Sequence, residues 1–273
     1  MAAAAMTAPA ILLFALLFLV PMASTMRLAV GGDDAEFNVA RFAQALSGPY
    51  LADLWFTLVT ALAAALVCVA VGTGVAMLLQ ALPGWARRIA EVLVLIPLVV
   101  PHIVAAYAIW LTLLPGGPLS ALLAAIGLPG ALADVSGGPA ALVAALAWKF
   151  LPVAALTVAA ALEGLDRSQL EAAQDIGAGP WQRFLAITAP QLVPAMISGG
   201  ALVFIMGAAQ FSITLVVYVG KSPTTIPMGI YHEAFGMGQW NMASALGLTL
   251  TIATLGGLAL TIRLVRPSGA HAA

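Results

Sequence analysis

The chain has 273 residues, of which 63% are hydrophobic and only 8% are charged, and its mean hydropathy is +1.07. A water-soluble domain of this size needs more charge to keep a polar surface, so these figures exclude one. The net charge of −1 gives no electrostatic reason to expect a nucleic acid partner. The composition therefore predicts an all-α integral membrane protein, whose helices cross the lipid bilayer.

Six apolar runs are long enough to cross a bilayer, which takes about 20 residues each. In chain order they cover approximately residues 8–26, 53–82, 91–114, 140–162, 191–219 and 242–264. The first run is followed by small residues that could mark a secretory signal. No basic region precedes it, however, so we expect it to be retained as a span.

The third run contains Pro97 and Pro101, four residues apart. Proline removes a backbone donor and clashes with the preceding turn, so a bent helix is expected here. The bend fits either a span beside a cavity or a kink that serves packing. His102 follows Pro101 directly. It is either a residue of a translocation pathway or a hydrogen-bonded structural histidine. The Gly- and Pro-rich stretch 115–139, with a short apolar middle at 119–126, predicts an interfacial or re-entrant piece.

The fourth run carries Lys149 near its middle. A charge at membrane depth is costly and usually faces protein or water rather than lipid. Lys149 is therefore a candidate residue of a translocation pathway or an interface, and the alternative is a structural pairing with carboxylate or carbonyl oxygens. The fifth run carries Gln210, Ser212 and Thr214, of which Gln210 and Thr214 share a helix face. They either line a path or bond a neighbouring helix.

Between the fourth and fifth runs lies the polar stretch 161–190, which holds six charged residues. Ser168 and Glu171 have the spacing of a capping box. Gly177 can end a helix, and Pro180 suits the first position of the next one. The stretch therefore predicts two short helices in a loop between two membrane spans.

A sequence motif occupies this loop: Glu171-Ala172-Ala173, three residues, Gly177, nine residues, Ile187, one residue and Ala189-Pro190. It resembles the EAA motif of permease subunits in binding-protein-dependent ABC importers. Ala189 stands where that family usually has Leu, which leaves the spacing intact. The alternative is a polar hairpin that only lies on the lipid headgroups. The resemblance assigns these residues to docking on an ATPase: Glu171, Ala172, Ala173, Asp175, Gly177, Ile187 and Pro190.

The resemblance also implies a fold and a division of the chain. It implies six transmembrane helices in the fold of a type I ABC importer permease. Residues 1–50 would form an N-terminal transmembrane helix and an extracytoplasmic segment. Residues 51–264 would form the permease domain with the coupling loop 163–190, and residues 265–273 a cytoplasmic tail.

The partners that the resemblance implies are a cytoplasmic ABC ATPase dimer, a second permease chain, an extracytoplasmic solute-binding protein and the lipid bilayer. The second permease chain would be a copy of this one or a different one. The sequence has no Walker, HExxH or Gly-x-Ser-x-Gly motif, so we expect a transport subunit rather than an enzyme. It would bind no cofactor or metal, and ATP would be used by the partner.

Basic residues predict the orientation, because they are enriched in cytoplasmic loops. Six spans place both termini on the same side as the loop 163–190. That side holds Arg87, Arg88, Arg167, Arg183, Arg263 and Arg266, whereas the other holds Arg27, Arg41 and Lys221. This distribution predicts a multi-pass membrane protein with both termini in the cytoplasm, and the resemblance implies that the membrane is the bacterial plasma (inner) membrane.

The surroundings of the motif suggest a substrate class. Trp148-Lys-Phe-Leu-Pro152 before the loop and Gln210-Phe-Ser after it resemble the branch that serves spermidine/putrescine, phosphonate, ferric iron and thiamine. A polyamine or a related small charged solute is expected. A self-contained secondary transporter or channel is the alternative function, and Lys149 and His102 would then have to provide its ion site. An intramembrane enzyme would need a paired catalytic motif.

Overall fold

The structure is a computed structural model, and it describes residues 9, 12–31, 40–128, 135 and 137–265. Within these residues the chain is nearly all helical. The helices are α1 Leu12–Val30, α2 Ala40–Ala45, α3 Gly48–Ala81, α4 Gly84–Val99, α5 His102–Leu113, α6 Pro118–Ala125, α7 Pro139–Glu163, α8 Arg167–Asp175, α9 Pro180–Ala208, α10 Ser212–Val217, α11 Ile226–Tyr231 and α12 Trp240–Val265. Residues 32–39 of the expected extracytoplasmic segment lie outside the described residues, as do Arg266 and the tail beyond it.

Six described stretches are long and apolar enough to cross a membrane, as the sequence predicts. They are Leu12–Val30, Gly48–Ala81, His102–Ala125, Pro139–Glu163, Pro180–Ala208 and Trp240–Leu260. A helix satisfies its backbone donors and acceptors internally, which is what a segment surrounded by lipid requires. The prediction of an all-α membrane protein with six transmembrane helices is confirmed.

The third predicted span is broken where a bend was expected. Helix α4 ends at Val99 and α5 begins at His102, and Val100 and Pro101 between them are extended, with ψ of 131° and 140°. Pro101 has no N–H and pushes the residue before it out of the helical region. The apolar stretch that counts as the third span starts at His102 and takes in α6, which the sequence analysis placed at the interface.

The fifth span lies earlier in the chain than predicted. Helix α9 begins at Pro180 rather than at residue 191, so its 29 residues end at Ala208. Gln210, Ser212 and Thr214 therefore follow this span instead of lying within it. The Oε1 atom of Gln210 accepts a hydrogen bond from the backbone N–H of Ser212 at 3.1 Å, at the start of the separate short helix α10.

The chain forms two compact units, of which the larger comprises Thr57–Lys221 and Gly256–Ala273. Helix α7 is the centre of this unit, and its buried residues are mostly small and apolar. It packs against α4, α5, α9 and α10. The predicted functional residues of this unit that the structure describes therefore lie on α7, on a helix that packs against α7, or on a segment next to such a helix.

Small residues let the helices of the larger unit approach closely. A Cβ atom added to Gly72 on α3 would lie 3.0 Å from the backbone nitrogen of Ala155 on α7. One added to Gly199 on α9 would lie 3.3 Å from the Cα of Ala154. The thiol of the buried Cys68 donates to the carbonyl of Ala147 at 3.3 Å. Helices α3 and α9 thus meet α7 through backbone contact, which is typical of helix packing in membranes.

The smaller unit comprises Met1–Phe56 and Ser222–Leu255. Polar bonds join the start of α3 to the segment before α12. The hydroxyl of Tyr50 donates to Oε1 of Glu233 at 2.9 Å, and the backbone N–H of Thr224 donates to Oδ1 of Asp53 at 2.8 Å. Both carboxylates are more than nine-tenths buried, and buried acids need such partners.

Candidate functional site

The polar loop between α7 and α9 contains the two helical segments that the sequence predicts. The first is α8, Arg167–Asp175, and the second begins at Pro180 but continues without a break into the fifth span. The predicted capping box is wrong. Asp166 is the N-cap, and its side chain accepts the backbone N–H of Ser168 at 2.9 Å, so Ser168 lies inside the helix. The hydrogen bonds to Ser168 hold the pKa of Asp166 below its usual value.

Gly177 ends α8 as predicted. Its φ of +83° lies in the left-handed region that favours glycine. The N–H of Gly177 donates to the carbonyl of Gln174 at 2.9 Å, and the N–H of Ala178 donates to that of Ala173 at 3.0 Å. This pair of bonds is the Schellman motif, which satisfies the last carbonyls of a helix. Pro180 then starts the next helical segment, so the turn is fixed at both ends.

Side-chain bonds hold α8 against the start of α9. Nη1 of Arg183 donates to Oε1 of Gln174 at 3.0 Å, and Nε2 of Gln191 donates to Oε1 of Gln169 at 2.9 Å. The first bond lies near the C-terminal end of α8 and the second near its N-terminal end. The loop is therefore an ordered unit attached to the fifth span.

The predicted coupling residues lie on both the outer and the inner side of this loop. Glu171, Ala172, Asp175, Gly177 and Pro190 are exposed, whereas Ala173 and Ile187 are partly buried. Sequence reasoning missed two large apolar side chains: Ile176 is 86% exposed, and Trp181 is 69% exposed and stacked on Phe184. Ile176 directly before Gly177 and Trp181 directly after Pro180 are large apolar residues in an otherwise polar stretch. This contrast is the sequence signal that could have identified them.

An arginine connects the beginning of this loop to α4. The Nε atom of Arg87 donates to Oε1 of Glu91 at 2.7 Å, and its Nη2 donates to Oε1 of Glu163, the last residue of α7. Both bonds favour the charged guanidinium, so they raise the pKa of Arg87. The C-terminal end of α7 is therefore tied to the first turn of α4.

Lys149 is fully buried and is paired with carbonyl oxygens, which is one of the two interpretations that the sequence leaves open. Its Nζ donates to the carbonyls of Pro97 at 2.7 Å, Leu98 at 3.2 Å and Val100 at 2.5 Å. The last carbonyls of a helix have no partner within it. Lys149 therefore supplies three donors to the end of α4, where the chain is extended.

The other pathway candidates lie on helices that pack against α7 or, in the case of Gln210, between α9 and α10. His102 is the first residue of α5; it is exposed, and its ring centroid lies 6.2 Å from that of Phe150. Gln210 and Thr214 are buried, and the hydroxyl of Thr214 donates to the carbonyl of Gln210 at 3.3 Å. Helix α10, which begins at Ser212, packs against α5 and α7.

Two groups of predicted residues are thus separate in the structure. The coupling residues lie on the loop 163–190, whereas the pathway candidates lie on α5, α7 and α10 or directly beside them. Among the described residues, no group of three or more His, Cys, Asp and Glu side chains could hold a metal ion. The geometry thus offers an exposed helical surface on the loop and, apart from it, buried polar groups on and beside α7.

The chain is similar to known membrane transport components. Residues 69–266 match the family described as binding-protein-dependent transport system inner membrane component. A spermidine/putrescine transport system permease protein, PotB of Salmonella typhimurium, is 28% identical over 225 residues, which are 81% of this chain and 78% of that protein. PhnU of the same species, provisionally assigned to a 2-aminoethylphosphonate transport system as its permease protein, is 32% identical over 108 residues, 39% of this chain and 37% of PhnU.

The fold has a solved counterpart as well. A chain of a bacterial alginate ABC transporter, crystallised with an alginate pentasaccharide-bound periplasmic protein, matches with a TM-score of 0.80 and 18% identity. The match covers 96% of this chain and 93% of that one. At this identity the likeness concerns the fold alone.

Proposed function

Because this chain belongs to the family of binding-protein-dependent transport system inner membrane components, we propose that it docks a separate cytoplasmic ATPase through the loop 163–190 and forms part of the substrate path. One observation carries the proposal. The exposed face of α8 with Glu171, Ala172 and Asp175 is held in place by a fixed cap and by bonds to α9. A rigid exposed helix attached directly to two membrane spans can pass on the movement of a bound partner.

The proposed mechanism is a population shift between inward-facing and outward-facing states. A bound partner changes such an equilibrium only as far as its affinity for the two states differs. Closure of the ATPase dimer on ATP would displace α8 and, with it, the ends of α7 and α9. Glu171 would pair with a basic group or a helix end of the ATPase, and Ala172 would allow close approach. Gly177 provides the turn that aims α8 at the partner.

The proposed substrate is a small charged solute, and a polyamine is the first candidate. PotB, the relative that this chain matches over most of its length, is named as a spermidine/putrescine permease, and PhnU points to 2-aminoethylphosphonate. A solute-binding protein would deliver the substrate on the other side of the membrane. We further propose a second permease chain, an inner-membrane location with both termini in the cytoplasm, and no cofactor on this chain, because ATP would be used by the partner.

Co-purification tests the docking surface. Three versions of the protein are compared: the wild type, Glu171→Arg and Gln239→Arg. Each is solubilised in detergent and purified from membranes that also contain the ATPase. Gln239 is exposed and follows the fifth span, so in the proposed topology it lies on the opposite side of the membrane. The ATPase should accompany the wild type and Gln239→Arg and be lost from Glu171→Arg. If Glu171→Arg recovered as much ATPase as the wild type, α8 would not be the docking surface. If no ATPase co-purified with any of the three versions, the docking proposal would be overturned.

Uptake tests the substrate class. Membrane vesicles with the complete importer are loaded with ATP and offered radiolabelled putrescine, spermidine or 2-aminoethylphosphonate with the solute-binding protein. We expect saturable uptake of a polyamine that competes with the other polyamine but not with the phosphonate. Uptake of the phosphonate alone would replace the polyamine proposal and leave the docking proposal intact.

A further inference from the structure

Helices α4 and α7 are connected by polar bonds at two levels. At one end of α4, Arg87 binds Glu163, the last residue of α7. At its other end, the carbonyls of Pro97, Leu98 and Val100 accept hydrogen bonds from Lys149, near the middle of α7. The two helices therefore run antiparallel, and each contributes one cationic residue to the pair of ties.

The two ties are far apart along the helices. At a rise of 1.5 Å per residue, Lys149 and Glu163 are separated by about 21 Å on α7, and Arg87 and Pro97 by about 15 Å on α4. A single contact would leave α4 free to pivot on α7. Two contacts at this separation oppose both pivoting and sliding.

The ties differ in strength. Lys149 is fully buried, so its ammonium group has no water to replace the three carbonyl oxygens if α4 moves away. The Arg87 pair is partly exposed, and such pairs are weak and screened by salt. The Lys149 tie is therefore the stronger of the two, and the Arg87–Glu163 tie lies where α7 ends and the coupling loop begins.

The chain between α4 and α5 is the place where these two helices can change their relative angle. Val100 and Pro101 are extended, so no continuous helix joins the two. His102 starts α5 directly after this break, and α5 packs against α10. A shift of α4 would therefore reach the region of the pathway candidates.

We propose that Lys149 and Arg87 are positioning residues that make α4 move as one body with α7, so that displacement of the coupling loop reaches the break at Val100–Pro101. This inference deepens the proposed function and rests on it. Residues 84–99 then belong to the moving part, although they lie outside the coupling loop and outside α5. Helix α7 already packs directly on α5 and α10, and the ties add a second connection, through α4, between the coupling loop and the pathway candidates.

A distance measurement tests the ties directly. Spin labels are placed at Val92 on α4 and Ala160 on α7, which are both exposed. In the importer reconstituted in lipid nanodiscs, the wild-type distance should be the same with and without a non-hydrolysable ATP analogue. It should become broadly distributed in the Lys149→Met/Arg87→Gln double variant. A wild-type distance that changes with nucleotide, or an unchanged distribution in the double variant, would overturn the proposal.

The ratio of solute transported to ATP hydrolysed separates positioning from a merely structural role. Lys149→Met should lower this ratio roughly tenfold, within the range of coupling free energies between linked sites, while the ATPase still co-purifies and hydrolyses ATP. Arg87→Gln should give a smaller loss, and Lys149→Arg, which keeps the charge and donors, should recover most of it. Arg88→Gln is the matched control, because Arg88 is exposed and takes no part in these bonds; its ratio should equal that of the wild type.

Two results would contradict the inference. If transport and hydrolysis fell together in Lys149→Met and Arg87→Gln, the residues would only stabilise the fold. If the ratio were unchanged in both, the ties would have no part in coupling. A wild type that binds no ATPase would instead overturn the proposed function, and the Val92–Ala160 distance in the isolated chain would still show whether the ties hold the two helices together.

Discussion

The ammonium group of Lys149 lies 2.7 Å from the carbonyl oxygen of Pro97, 52 residues earlier in the chain. In an unbroken helix that carbonyl would accept the N–H of residue 101, but this residue is Pro101 and has none. The lysine supplies the donor that the proline lacks. A charge at membrane depth and a break in a helix are each costly, and here each provides what the other needs.

Removal of the Lys149 ammonium group should destabilise the protein, and the loss of stability should depend on whether residue 101 is proline. Lys149→Met leaves carbonyls at the end of α4 without this donor, at about 1–3 kcal/mol for each one left unsatisfied. Pro101→Ala restores an N–H that can bond the Pro97 carbonyl once α4 extends by one turn through residue 101, so the double variant should lose less stability than Lys149→Met alone. Thermal denaturation in detergent measures both. If Lys149→Met melted at the wild-type temperature, the pairing would not be needed for stability.

A side chain at Gly72 should disrupt the packing of α3 on α7. A Cβ atom there would lie 3.0 Å from a backbone nitrogen, which cannot move aside, and overpacking of this kind costs about 1–3 kcal/mol. Gly74 on the same helix has nothing within 4 Å of such an atom. We expect Gly72→Ala to lower the denaturation temperature and Gly74→Ala to leave it the same or raise it. Equal effects of the two variants would contradict the close contact.

Gly177→Ala should weaken the attachment of the ATPase. The φ of +83° costs a residue with a Cβ about 1–2 kcal/mol, so the turn after α8 should open in part of the molecules. Gly177→Asn should be milder, because Asn tolerates the left-handed region. Gly164→Ala is the control in the same loop, since Gly164 has an ordinary φ of −82°. Recovery of the ATPase by co-purification is the measurement, and an intact yield with Gly177→Ala would show that the turn does not matter.

Asp166 should titrate below the usual value of an aspartate. Its hydrogen bonds to Ser168 lower the pKa in the folded state, so they stabilise α8 at pH values above the unfolded pKa of about 3.9. This contribution is lost as the pH falls through the lower folded value. NMR of the carboxyl carbon, assigned by its absence in Asp166→Asn, measures the midpoint. A midpoint at or above the ordinary value would mean that Asp166 does not cap the helix.

The features that the sequence predicts well are local. The apolar length of a span, the helix end at Gly177 and the helix start at Pro180 depend on a few neighbouring residues. The N-cap was assigned to the wrong residue, because Asp166 and Ser168 are both good caps two positions apart and the pattern of the helix does not choose between them. Apolar composition continues across a helix break, which is why it did not reveal the extended pair Val100–Pro101.

The partners of Lys149 could not be predicted, because they are backbone atoms brought near it only by the packing of α7 against α4. Composition identified the residue as unusual but gave no information on the other side of the contact. The position of α10 could not be predicted either, because it too depends on how the helices pack. Only the folded chain shows that Gln210 and Thr214 follow the fifth span and that α10, which begins at Ser212, packs on α5 and α7.

The buried lysine also has a consequence for how the protein enters the bilayer during synthesis. A lysine at the centre of an isolated span adds about 2.5–3.5 kcal/mol to its insertion into the membrane. The carbonyl oxygens that bind Lys149 belong to residues 97–100 and therefore leave the ribosome before it does. The free energy of inserting the fourth span should therefore be lower when α4 already lies beside it. The order of residues along the chain would then also be the order in which the two helices assemble.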